Sequence, residues 1–187
     1  MNIILFGPPG AGKGTQSKHL IKKINGFQIS TGELLRNEIK NNTEIGKMIA
    51  NDMTDGKFVS DDIVNELIKK FIFDPQKKNK FIFDGYPRSI SQAKNLDLLL
   101  AETKQKIDLI FFLNVNKDTI IERIKKRRDI EKRSDDELDT ILRRYDTYMK
   151  TTKPVLDFYS KNLNFHEIDG SLEIQEITQK IDTFINV

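Results

Sequence analysis

The sequence predicts an α/β protein: a parallel sheet flanked on both faces by helices. Two observations carry that reading. Short apolar runs recur along the chain, and each leads into a stretch of helical periodicity, the pattern of right-handed βαβ crossovers. The first run, Asn2 to Phe6, passes directly into a glycine-rich loop and a helix start. In such sheets ligands sit beyond the carboxyl ends of the strands, so the residues just after each run become candidates together: 7–15, 30–31, 84–88, 114–116 and 169–172.

Taken in order, Asn2 to Phe6 reads as a buried strand and Gln16 to Ile24 as the helix after the loop. Phe27 to Ser30 is a second strand, and Ser30 with Glu33 forms a capping-box pattern opening a helix through Ile39. Asn41 to Glu44 breaks it, and another helix runs from Ile45 to Met53. Ser60 caps the next, with Ile63, Leu67, Ile68 and Phe71 at helical spacing, and Asp74-Pro75 stops it. Lys80 to Phe83 is a strand running into a glycine-proline turn, followed by a helix from Ser89 to Leu100. Asp108 to Val115 is the most apolar strand, and Asn116 caps a helix to Arg128. Ser134 with Glu137 reads as a second capping box, opening one long helix to Ser160. Asn164 to Gly170 is the last strand and Glu173 to Ile185 the last helix. The long interval from Ser30 to Lys80 leaves room for a small helical subdomain.

A chain of 187 residues fits one domain, and 37% apolar with 32% charged residues reads as soluble and globular. No run is long enough to span a membrane. The N-terminal apolar stretch leads straight into the glycine loop, as a strand does and a signal peptide does not. Zero cysteines exclude disulfides and thiolate zinc sites and fit a reducing compartment. The net charge of +3 is compatible with nucleic acid or with small anions.

The loop Gly7 to Thr15 fits G-x-x-x-x-G-K from Gly7 to Lys13, with the expected hydroxyl displaced by Gly14 to Thr15. Glycines let backbone N–H groups turn inward, the helix N-terminus adds partial positive charge, and Lys13 adds a full one. Arginines suit phosphoryl transfer because they are planar, always charged and bidentate. Arg36 and Arg88 stand singly, whereas Arg123, Arg127, Arg128, Arg133, Arg143 and Arg144 cluster. Asp84 ends a strand where a carboxylate reaches a magnesium ion or its waters. His19 reads as solvent-facing and His166 as packing, so no histidine base is offered. An acceptor that is itself a phosphate needs none. Asn116-Lys117-Asp118 departs from the guanine-reading N-K-x-D spacing, which sets a regulatory GTPase aside.

Together these residues resemble the adenylate kinase family, within the nucleoside monophosphate kinases, over nearly the whole chain. The resemblance rests on the loop Gly7 to Gln16, on Gln28 to Arg36, on Asp84-Gly85-Tyr86-Pro87-Arg88 with Gln92, and on Arg133 to Asp136 with Arg144. It implies a P-loop NTPase fold with a five-stranded parallel sheet, a mobile AMP-binding subdomain over 30–59 and a lid over 127–137. The implied reaction is reversible, magnesium-dependent transfer from ATP to AMP giving two ADP, in a cytoplasmic monomer that binds neither nucleic acid nor membrane. By the same resemblance, Gly10, Ala11, Gly12, Lys13, Gly14 and Thr15 hold the ATP phosphates, Arg123 lies beside adenine, Arg127 lies on phosphate, and the backbone near Leu172 touches adenine. Thr31, Arg36, Lys57, Phe58, Val59, Gly85, Tyr86, Pro87, Arg88 and Gln92 hold AMP, and Arg133 and Arg144 clamp phosphates as the lid closes. Lys13, Arg88, Arg127, Arg133 and Arg144 carry catalysis; magnesium travels with ATP near Thr15 and Asp84, with no direct protein ligand. The lid is the short kind, without zinc, and Lys126 stands where relatives often have glycine. A UMP/CMP kinase is the nearest alternative, against which Thr31 and Gln92 favour AMP. A nucleotide-dependent switch or nucleic-acid-binding module is the alternative from another class, opposed by scattered arginines and the lack of interleaved aromatics.

Overall fold

The computed structural model describes residues 1–77, 80–131 and 137–185. Its elements, in chain order, are β1 (Ile3–Phe6), α1 (Lys13–Ile24), β2 (Phe27–Ser30), α2 (Thr31–Lys40), α3 (Glu44–Thr54), α4 (Asp61–Ile72), β3 (Phe81–Asp84), α5 (Ile90–Glu102), β4 (Leu109–Asn114), α6 (Lys117–Glu131), α7 (Leu138–Thr151), α8 (Lys153–Tyr159), β5 (Phe165–Asp169) and α9 (Ile174–Asp182). The strands pair in parallel in the order β2-β3-β1-β4-β5. Central β1 is buried throughout, with Ile3 opposite Ile82 on one side and Leu109 on the other.

The period of two along β1 divides the core. Ile4 and Phe6 face a cluster with Phe81 and Phe83, covered by α2, α3, α4, α5 and α8 through residues such as Leu35, Ile49, Ile68, Leu96 and Val155. Ile3 and Leu5 face the opposite cluster with Ile82 and Phe111, covered by α1, α6, α7 and α9 through Leu20, Ile124, Ile141 and Ile181. Helices therefore lie on both faces, and the chain order of the strands reverses at β1. The segment after β1, where the glycine loop lies, is thus at the switch point of the sheet.

Most expected elements are present, with five differences. The helix expected to end at Arg128 runs on to Glu131. The single long helix expected to Ser160 is two helices that part at Thr152, with Pro154 in the first turn of α8, a position where proline fits because the missing N–H has no helical partner. The last helix ends at Asp182, short of Ile185. Ser60 precedes α4, but its side chain makes no cap bond. His19 is bonded to Asp182 at 2.8 Å instead of facing solvent. His166 packs as expected, stacked on Phe184 with centroids 3.8 Å apart. Asn116 caps α6 by accepting from the Thr119 N–H at 2.9 Å, and Ser30 accepts from the Glu33 N–H at 3.4 Å. The expected capping box at Ser134 lies outside the described residues.

Candidate active site

The segments after β1, β2, β3 and β5 open onto one cleft of about 530 Å³, whereas the end of β4, the expected 114–116 stretch, does not line it. Its floor is the loop between β1 and α1. The loop is held in shape by the Ala11 N–H donating to Pro8 at 3.1 Å and by Gly12, the residue before α1, at φ 96. Gly10 has φ 85, and a side chain there would press on Ile124 of α6, so backbone and α6 approach closely only because glycine is present. The first turn of α1 contains no acidic residue. Its N-terminal partial positive charge is therefore not neutralised and faces the cleft.

Lys13 folds over this floor. Its Nζ donates to the Gly7 carbonyl at 2.8 Å and the Pro8 carbonyl at 3.1 Å. Burial pulls its pKa down to about 8; Arg88, Arg144 and Arg127 push the same way, and Asp84 opposes them. Asp84, at the end of β3, also lines the cleft and accepts from Gln28 Nε2 at 3.1 Å.

The opposite wall is built from the turn after β3. Gly85, at φ 77, allows the Arg88 guanidinium to fold back, with Nε donating to the Gly85 carbonyl at 2.7 Å. Arg88 lies 4.8 Å over the Phe58 ring, and burial with the nearby Arg144 lowers its pKa to about 10. A polar brace stands behind it. The Arg88 N–H donates to Gln92 Oε1 at 2.7 Å, and Gln92 Nε2 donates to Asp61 Oδ1 at 2.7 Å. The Ser89 hydroxyl donates to the other Asp61 oxygen at 2.6 Å. The Thr31 hydroxyl donates to the Gly85 carbonyl at 2.9 Å.

The cleft thus gathers Gly10 to Thr15, Arg36, Asp84, Gly85, Arg88, Arg123, Arg127, Arg144 and Leu172. Arg123 donates to the carbonyls of Gly170 at 2.7 Å, Ser171 at 3.4 Å and Leu172 at 3.5 Å. Phe58 and Pro87 line a smaller adjoining cavity with Lys13, Arg88 and Arg144. The remaining expected residues are set back. Lys57 is exposed and paired with Asp55 at 2.9 Å, and Val59 is buried. Tyr86 is buried, donates to Asn65 at 2.7 Å, and has its pKa pushed up to about 12 by that burial. Thr31 and Gln92 are buried in the bonds just described. Arg133 lies outside the described residues.

Sequence reading gave no role to Asp61, nor to Gln28 and Gln16, which it named only as the ends of motif stretches. The first two act through partners 31 and 56 residues away, which no local pattern reveals. Gln16 left a signal, because it shares the helical face of Leu20 and Ile24, both buried. Among the described residues no group of three or more His, Cys, Asp or Glu side chains is arranged to hold a metal.

A sequence model described as adenylate kinase matches residues 5–164. Curated relatives named adenylate kinase include one from Pelagibacter ubique (strain HTCC1062), 48% identical with all of both chains covered. Another, from Porphyromonas gingivalis (strain ATCC 33277), is 39% identical over 100% of this chain and 96% of its own. One from Mycoplasma capricolum is 37% identical over 97% of each. The Pelagibacter alignment runs over 213 positions, more than the 187 of this chain, so that relative carries insertions that this chain lacks. Family match and full-length similarity agree with the loop, the arginine-lined cleft and the sheet order, and the chain belongs to the adenylate kinase family.

Proposed function

We propose that this cleft transfers the terminal phosphoryl group of ATP to AMP, reversibly, giving two ADP. The observation that carries the reading is the meeting of Lys13 and Arg88 in one cleft, from the glycine loop on one side and the turn after β3 on the other. Two anionic ligands placed end to end would bring their phosphates between these cations. An oxygen of the AMP phosphate attacks the γ-phosphorus, the bond from γ-phosphorus to the bridging oxygen breaks, and its electron pair stays on the β-phosphate of ADP. The nucleophile is already an anion, so no general base is needed, in keeping with a cleft lined by arginines instead of histidine. Catalysis is then positioning plus charge stabilisation.

In this reading Gly10 to Thr15 hold the ATP phosphates, while Arg123 and the backbone near Leu172 hold the adenine. Thr31, Arg36, Lys57 to Val59, Gly85 to Arg88 and Gln92 hold AMP. Arg127, Arg133 and Arg144 join Lys13 and Arg88 over the developing charge. Residues 30–59 form the AMP-binding subdomain and 127–137 a short lid. Asp84 and the Thr15 hydroxyl, both at the cleft, fit a magnesium ion held through water and phosphate oxygens, since that ion keeps several waters and takes few protein oxygens. Bound there, magnesium would neutralise charge on the β- and γ-phosphates. The role in the cell would be adenine nucleotide balance, in a cytoplasmic monomer.

Arg88→Ala tests the assignment. Turnover with ATP and AMP is expected to fall about 10³-fold or more, with thermal unfolding near that of the wild type. Near-normal turnover in a folded Arg88→Ala enzyme would contradict the assignment.

A further inference from the structure

The segment joining β5 to α9 reaches the cleft through Leu172 and Glu173. Arg123 grips its carbonyls from α6. A second grip comes from Gln16, which follows the glycine loop on α1 and is 1% exposed. Gln16 Nε2 donates to the Ile174 carbonyl at 3.2 Å, at the start of α9. The Thr178 hydroxyl lies 3.0 Å from Gln16 Oε1 and 2.8 Å from the same Ile174 carbonyl, and shares its single proton between them. Gln16 therefore ties the phosphate-binding helix to the first turn of α9 across 158 residues of chain.

We propose that Gln16 is a positioning residue that sets the spacing between the phosphate loop and the base-contacting segment, with Thr178 and Ile174 as its partners. The inference rests on the donor side assigned above, with triphosphate on Gly10 to Thr15 and adenine near Leu172. A ligand that spans two elements binds more tightly when their separation is already fixed, because no ordering cost remains at binding. The far end of α9 has its own anchor. Asp182 meets His19 at 2.8 Å and Lys23 at 3.1 Å, and Ile181 is buried in the core, as is Ile177 at the end of the first turn. Removing the Gln16 bonds thus loosens Ile174 and the segment before it, while Ile177, Ile181 and Asp182 keep the rest of α9 docked. Arg123 cannot replace Gln16, because it bonds the segment to α6 and not to the phosphate-binding helix.

Calorimetric titration of the full chain with ATP and with inorganic tripolyphosphate, both without magnesium, separates the base end from the phosphate end. Gln16→Leu is expected to weaken ATP binding about five- to tenfold, while tripolyphosphate binding changes less than about twofold. In steady state the same factor appears in KM for ATP, with kcat and KM for AMP changed less than about twofold. Thr178→Val shifts ATP binding in the same direction, and Thr178→Ser, which keeps the hydroxyl, restores it. Should Gln16→Leu fail to fold, the Thr178 pair applies the same test, since that side chain is half-buried. Equal losses for ATP and tripolyphosphate, an effect confined to kcat, or ATP binding unchanged in Gln16→Leu would each overturn the proposal. Wild-type protein that binds ATP without turnover on AMP would defeat the phosphotransfer reading alone, and the titrations would still judge Gln16.

Discussion

In the proposed reading, Lys13 carries the proton that matters most to the donor side. Its ammonium is held by two carbonyls of its own loop, and burial lowers its pKa from 10.5 to about 8. The folded value lies below the unfolded one, so folding disfavours the charged form; the unfolded chain binds more protons between about 8 and 10.5, and the cost to stability is relieved as pH rises through that window. For binding the sign is opposite. Above about pH 8 the ammonium is increasingly neutral, and an arriving triphosphate raises its pKa again, so ATP should draw a proton onto Lys13. Calorimetry at about pH 8.5 in buffers of different ionisation enthalpy should show more proton uptake in the wild type than in Lys13→Met. Equal uptake in the two would contradict a titrating Lys13. The other side chains of the cleft divide by how they are held. Arg88 is braced through Gln92 to Asp61, whereas Lys57 projects from the surface in an exposed ion pair with Asp55. Exposed pairs of that kind contribute little to stability.

At the scale of elements, α2 and α3, the two helices of the proposed AMP-binding subdomain, approach closely at Gly46. Gly46 packs against the end of α2, where a Cβ would overlap the Glu38 carbonyl and come within 2.8 Å of the Ile39 nitrogen. Thr43 caps α3 by accepting from the Gly46 N–H at 3.0 Å, which fixes that crossing. Backbone on both sides leaves no flexible side chain to yield. Gly46→Ala is expected to destabilise the protein by about 1–3 kcal/mol, lowering the unfolding temperature by about 2–12 °C for a chain of this size. An unchanged unfolding temperature would show that the two helices separate freely. Element type was legible in the sequence because apolar runs and helical periodicities are local properties. Phe81 to Phe83 and Leu109 to Leu113 announce strands by their own composition. The division of α7 from α8 was also legible in principle, since Pro154 disfavours helix at the residue before it. A continuous apolar pattern through Val155 and Leu156 hid it. The pairing of His19 with Asp182 was not legible, because the two are 163 residues apart and meet only when α9 lies along α1.

Over the whole molecule, one sheet brings five strand ends to a common edge and so converts scattered motifs into one cleft. The glycine loop, Asp84 and Arg88 were legible because chemistry, strand ends and turn residues coincide in each stretch. The brace of Asp61 and the link from Gln16 to Thr178 were not, because their partners come from distant elements. The resemblance implies Thr31 and Gln92 at AMP; the structure adds that both side chains are engaged with Gly85, Arg88 and Asp61, so they shape the cleft wall opposite the glycine loop through those partners. The most direct measurement of the central claim is ADP formation from ATP and magnesium with AMP, CMP, UMP or GMP as acceptor. Turnover with AMP should exceed that with each other monophosphate by about tenfold or more, with little phosphate released from ATP alone. Turnover with CMP or UMP equal to that with AMP, or steady ATP hydrolysis matching the rate with AMP, would contradict the account.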